Sequence, residues 1–218
     1  MANYSYLVDD ITQAAENDGT EFANYIPKMI NRAEERLTRD LDDYGLVSYT
    51  SVAIPAGANQ VTLPSGTRIL KNFNITANST RINLLPRTDE YIKDYWPVAA
   101  STGTPEYYAR RDNTTVLIAP TPVSTFDGEI VHISRPTTLA AASPNNYFSD
   151  FCYDALFNAS MVEAMVFQKD YNAVNLFEQR YMQAVAALQN QARRTRRDDM
   201  QAPASRAGAD NPVIAGSN

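Results

Sequence analysis

The chain has 218 residues, ordinary globular fractions of hydrophobic (44%) and charged (20%) residues, and a net charge of −6 at pH 7. That length suffices for one large or two small domains with a real core, while the acid excess disfavours a general nucleic-acid binder, which needs surplus Lys and Arg for phosphates. One cysteine (Cys152) and one histidine (His132) exclude an internal disulfide, a cysteine zinc site and any mechanism using two imidazoles.

No apolar run approaches the ~18 residues of a membrane span. Residues 1–6 carry neither a basic nor an apolar signal region, so no signal peptide and no membrane association are expected. Residues 4–45 read as helix. Leu7, Val8, Ile11, Ala14 and Ala15 share one face. Asn17-Asp18-Gly19 ends that stretch and Thr20-Glu21 opens a second, with Pro27 expected in its first turn. Ile30, Ala33, Leu37 and Leu41 form its stripe, flanked by Arg32, Arg36 and Arg39, and Gly45 suits a stop.

Residues 46–136 alternate with period two and are punctuated by Gly and Pro, the pattern of a small antiparallel sheet or sandwich. Most of the twelve prolines fall there. Ile69, Lys71, Phe73 and Ile75 are expected on one side of a strand. A short helical patch, 90–96, interrupts the strands. His132, mid-strand, reads as a surface or packing residue and not as a catalytic one. Helix resumes near Ser149-Asp150, expected as the N-cap pair, breaks at Gln168-Lys169-Asp170, and continues to about 193. The expected class is α+β: a helical bundle from 1–45 and 149–193, an inserted β domain at 46–148, and an extended C-terminal tail at 194–218. From Gln201 to Asn218 the tail has almost no large apolar residue to offset its ordering entropy, so that part is expected to be disordered or to order only on a partner.

Phosphate-loop, serine-hydrolase and zinc-protease motifs are absent from the sequence. The acid pairs Asp9-Asp10, Glu34-Glu35, Asp42-Asp43 and Asp198-Asp199 read as solvated faces, because adjacent helical residues diverge by about 100°. No enzyme activity, catalytic residue, metal or cofactor is expected. Arg193, Arg194, Arg196 and Arg197 have two readings: a solvated helix end favoured by the dipole, or a contact for an acidic partner or for phosphates. Thirteen tyrosines suit half-buried surfaces and interfaces. With Trp96 they also allow a second reading, a β domain that stacks on glycans.

Several strings occur in a telling order: Arg32-Ala-Glu-Glu-Arg-Leu-Thr-Arg-Asp-Leu41, Leu63-Pro64 before Arg68-Ile69-Leu70, and Thr102-Gly-Thr-Pro-Glu-Tyr-Tyr-Ala109. Leu117-Ile-Ala-Pro-Thr-Pro122, Ser134-Arg-Pro-Thr-Thr-Leu139, Tyr153-Asp-Ala-Leu156, Val162-Glu-Ala164 and Phe177-Glu-Gln-Arg-Tyr181 complete the set. From about residue 20 to 190 the chain resembles the head-to-tail adaptor (connector) proteins of tailed bacteriophages, particularly the short-tailed ones. The resemblance implies a structural virion protein at the portal vertex or neck, made in the host cytoplasm. It implies a homo-oligomeric ring, usually of twelve subunits, between the portal protein and tail nozzle, tube or fibre proteins. DNA would pass through the channel without specific binding. On this reading Arg193, Arg194, Arg196, Arg197, Pro203, Pro212, Val213 and Ile214 are expected to meet the portal. Arg32, Arg36, Arg39, Trp96, Tyr107 and Tyr108 are expected at subunit or tail contacts.

Overall fold

The structure, a computed structural model, describes residues 3–41 and 44–206. In chain order it contains α1 (Tyr4–Ala14), α2 (Thr20–Asp40), a 3-10 turn (Tyr44–Leu46), β1 (Val47–Ile54), β2 (Gln60–Thr62), β3 (Thr67–Ala77), β4 (Thr80–Asn83) and β5 (Leu85–Pro86). There follow α3 (Asp89–Tyr95), β6 (Thr102–Gly103), β7 (Tyr107–Arg110), β8 (Thr115–Ala119), β9 (Thr121–Pro122) and β10 (Phe126–Ser134). The chain ends with α4 (Tyr147–Phe151), α5 (Tyr153–Gln168) and α6 (Tyr171–Arg206). The class is α+β. Two compact units separate: Met1–Tyr44 with Thr138–Asn218, and Gly45–Thr137.

In the helical unit α5 lies against α1, α2, α4 and α6. Its sequence is apolar nearly all round, and it buries Ala155, Leu156, Ala159, Met161, Val162, Ala164 and Met165, as a central helix must. Ser160, also fully buried, is satisfied by donating to the Leu156 carbonyl at 2.9 Å. Helix α2 presents Phe22, Ile26, Met29, Ile30, Ala33 and Leu37. Because Phe22 and Ile26 belong to that buried face, the helix begins at Thr20. Pro27 therefore sits inside it, not in the first turn.

The start of the second helical region also differs from expectation. Asn146 is the N-cap of α4, in a reciprocal capping box with Ser149; Cys152 caps α5. The Gln168–Asp170 break is real: Lys169 takes a left-handed conformation (φ 63°) and ends α5. Helix α6 continues to Arg206, past the expected end near 193. The Ala, Gln and Arg that fill residues 189–202 are strong helix formers. Asp42, Asp43 and residues 207–218 lie outside the described residues.

Glu34 corrects the expectation of a solvated face. It is 3% exposed. Its carboxylate accepts the Leu139 amide (3.0 and 3.2 Å) and the Asn146 side-chain amide (2.5 Å). A buried carboxylate persists only with such donors. Here it pins the segment entering α4 onto α2.

In the second unit β1-β10-β3-β4 form an antiparallel sheet, and β2-β8-β7-β5 form a mixed one in which β5 runs parallel to β7. Their inner faces share a core: Ile54, Phe73, Ile75, Phe126 and Ile130 from the first, and Val61, Tyr108, Val116 and Ile118 from the second. Helix α3 covers the opposite face of the second sheet through Ile92, which packs with Ala109, Leu117 and Ala119. Strand β8 is thus buried on both sides, the reason it reads as a continuous apolar run.

Strand β3 does not keep one face. A bulge skips Lys71, so that Val131 pairs Asn72 but His132 pairs Leu70. Leu70 therefore packs with Phe73 and Ile75 against the core, while Ile69 and Lys71 are exposed. A bulge shifts the alternation by one residue. His132, 2% exposed, lies between Thr67 (Nδ1, 3.0 Å) and Thr50 (Nε2, 3.2 Å). The Thr67 hydroxyl donates to the Pro64 carbonyl (2.7 Å). It must therefore accept from His132, which fixes the Nδ1–H tautomer.

Candidate interaction sites

The arginines of α2 split into two kinds. Arg36 forms a two-pronged ion pair with Glu178 of α6, at 2.7 and 2.5 Å. Its guanidinium also lies 4.0 Å from the centre of the Tyr181 ring. Tyr181, 2% exposed, donates its hydroxyl to Asp40 at 2.5 Å. These contacts act on one another's charge. The hydrogen bonds that Arg36 donates to Glu178 pull the Glu178 carboxyl below its ordinary range and raise the Arg36 guanidinium. Burial, reinforced by Asp40, pushes the Tyr181 phenol far up, so it remains a neutral donor. Arg32 donates to Glu163 of α5 at 3.0 Å. Arg32 and Arg36 thus tie α2 to α5 and α6. Arg39, by contrast, is exposed.

Asp40, four residues beyond Arg36 as the i,i+4 spacing pairs them, lies 3.8 Å from it, whereas nothing in the sequence pattern marks Glu163, Glu178 or Tyr181 as partners of α2. Spacing along one helix carries no signal for partners more than 100 residues away. Arg193, Arg194, Arg196, Arg197 and Pro203 fall on the helical backbone of α6. Pro212, Val213 and Ile214 lie outside the described residues.

In the β unit, α3 and β7 assemble an aromatic patch. Tyr91 stacks on Tyr95 with centroids 4.3 Å apart, and Trp96 meets Tyr107 at 5.2 Å. The Arg87 guanidinium covers Tyr91 at 5.3 Å and Tyr107 at 5.6 Å, a cation–π arrangement that holds the rings in place. Thr88 caps α3 by accepting the Tyr91 amide at 3.2 Å. Tyr95 is 66% exposed, and Tyr107 and Trp96 are half-buried. Tyr108, the next residue along β7, points to the other face. It is buried and meets Phe73 edge-on at 6.0 Å. Strand alternation therefore separates two tyrosines that sequence adjacency had grouped.

Beside the patch, Trp96, Ile92, Lys93, Arg111 and Leu117 line an open cavity of about 220 Å³. That is smaller than the ~300–1,000 Å³ of typical small-molecule sites. The region is better described as a patch than as a pocket. Among the described residues no group of three or more His, Cys, Asp or Glu is placed to hold a metal. Among them, too, no helix is long and apolar enough to cross a membrane.

The SU10 adaptor protein family model matches residues 2–207. The chain belongs to that family. It is an adaptor, a structural protein of the bacteriophage virion. Among curated proteins no sequence matches it. The family match spans both units of the adaptor and α6 with its arginine-rich stretch, so neither unit is foreign to the adaptor architecture.

Proposed function

We propose that this adaptor is one subunit of a closed ring, of about twelve copies, joining the portal to the tail of a short-tailed phage and continuing its DNA channel. The family match over residues 2–207 carries the reading. The ion pairs of Arg32 with Glu163 and Arg36 with Glu178 support it, because they hold α2 against α5 and α6 in a defined packing that can repeat around an axis. Arg39, Trp96 and Tyr107 are the exposed or half-exposed groups offered to neighbours or tail proteins. The arginine-rich part of α6 and the segment with Pro212, Val213 and Ile214 are offered to the portal. The −6 charge per chain repels the DNA backbone, so DNA slides through and is not held.

Light scattering tests this directly. The 24.2 kDa chain is mixed with purified portal rings. Recruitment of a fixed multi-copy set supports the reading, and a chain whose mass ignores the portal refutes it. A second reading, glycan stacking on the Tyr91–Tyr95–Trp96–Tyr107 patch, has the ring geometry in its favour. Trp96 is the only tryptophan, so a saturable fluorescence shift with oligosaccharides would support it.

A further inference from the structure

The two edges of the first sheet differ in a way that the isolated chain does not need. Strand β4 is protected: it is four residues long and carries Arg81, 63% exposed at its side chain. Short length and edge charge guard it against pairing with another copy of itself, where two Arg81 side chains would meet, while leaving it open to an uncharged strand. Strand β1 has neither guard. Its eight residues, Val47–Ile54, contain no charge and no proline. Among the described residues its outer backbone edge has no hydrogen-bond partner. Tyr49 beside it is 70% exposed. A bare edge of this length is a ready template for another strand, which would take the place of water on its amides and carbonyls.

We infer that β1 pairs with β4 of a second copy of this chain, so that the first sheet runs on from subunit to subunit. This rests on the ring reading above and adds the surface through which copies join. Three observations favour this occupant. The first is strand direction. Strand β1 is antiparallel to β10, β10 to β3, and β3 to β4, so β4 runs opposite to β1. A head-to-tail repeat that continues the sheet therefore joins the two edges as an antiparallel pair, the better-bonded kind.

The second is side-chain fit. Ala53, Asp127, Thr76 and Arg81 form one row across the outer face. Setting the neighbour's Arg81 opposite Ala53 sets its Ile82 opposite Val52. Both are partly buried at the margin of the sandwich core, so the pairing extends that core across the joint.

The third is charge. Within one copy Arg81 reaches over β3 to Glu129 on β10, at 3.3 Å. An Arg81 added outside β1 spans the same distance, one intervening strand, to the acids of β10. Asp127 is exposed there, and none of the ion pairs among the described residues uses it.

In this register Asn83 of one copy faces Ser51 of the next, both exposed. The full-length double variant Ser51→Cys/Asn83→Cys, oxidised mildly in the presence of portal rings, should give a ladder of disulfide-linked multimers, with each single variant staying monomeric on a non-reducing gel. The native Cys152 is buried and does not interfere. Dimers from Ser51→Cys alone would mean that β1 meets β1, and overturn the proposal. So would cross-links from Ser51→Cys to the portal protein. Recruitment to the portal without any ladder would overturn the edge pairing and leave the ring intact. A chain that neither joins the portal nor cross-links overturns both readings. Ala53→Arg supplies an independent check. Facing Arg81, it should weaken assembly severalfold with an unchanged melt; unaltered assembly counts against the pairing.

Discussion

Replacing Arg36 by methionine keeps the aliphatic stem and removes the charge that joins α2 to α6. Two hydrogen bonds to a charged carboxylate are lost, worth about 1.5–3 kcal/mol together, and a cation–π contact to Tyr181 worth about 0.5–1 kcal/mol. The pair is not dry: the Arg36 and Glu178 side chains are 29% and 26% exposed, so water recovers part of this. The expected net loss is about 2 kcal/mol. For a chain of this size that lowers Tm by roughly 4–8 °C. The assay is a double-mutant cycle with Glu178→Gln, read by helical circular dichroism in urea, with an expected coupling of about 1–2 kcal/mol. The pH dependence supplies a second check. The folded Glu178 carboxyl is held below its ordinary value of 4.5. Its contribution is therefore present above that value and lost as pH falls through the lower folded one. The gap between the parent and Arg36→Met should narrow in acid to the cation–π remainder of about 0.5–1 kcal/mol. Coupling below about 0.5 kcal/mol at neutral pH, or a gap that does not narrow in acid, would refute the account of the bundle as ion-pair-locked.

Gly128→Ala should destabilise the β unit by about 1–3 kcal/mol through overpacking, since a Cβ there meets Phe73, the Asn74 carbonyl oxygen and Ile54 at 3.1–3.2 Å; an unchanged urea midpoint followed by Trp96 fluorescence would contradict this. Lys169→Gly should stabilise the helical unit by about 0.5–1 kcal/mol, because glycine bears the left-handed φ of 63° without a Cβ penalty; a lower Tm would count against it. Burial lowers the His132 pKa from its ordinary 6.5, so the unfolded chain binds the proton more readily. Stability is then complete above about pH 6.5 and declines as pH falls from there through the folded value. His132→Gln should remove that slope between pH 7.5 and 5.5; an identical slope in the variant would show that other groups cause it.

Local pattern was enough for much of the fold. The α+β class follows from a period that changes from 3.6 to two and back. The break at Lys169 and the helical patch before Trp96 follow from local chemistry that acts over a few residues. Adjacency also misled, and for identifiable reasons. A bulge at Lys71 moved Leu70 to the inner face in place of Ile69. Alternation along β7 sent Tyr108 inward and left Tyr107 with Trp96 outside. Glu34 resembled its solvated neighbours until the segment at Leu139–Asn146 came to meet it.

What the sequence determined by itself are the properties that depend on neighbours along the chain: the order of helices and strands, the acidic balance, and a set of ordered strings that points to phage adaptors. What tertiary structure decided are the pairings between distant residues. Arg36 finds Glu178, Tyr181 finds Asp40, and β1 is left as a bare edge while β4 is guarded. These outcomes depend on how residues separated by dozens of positions share a small volume, and periodicity along a single segment contains no term for that distance.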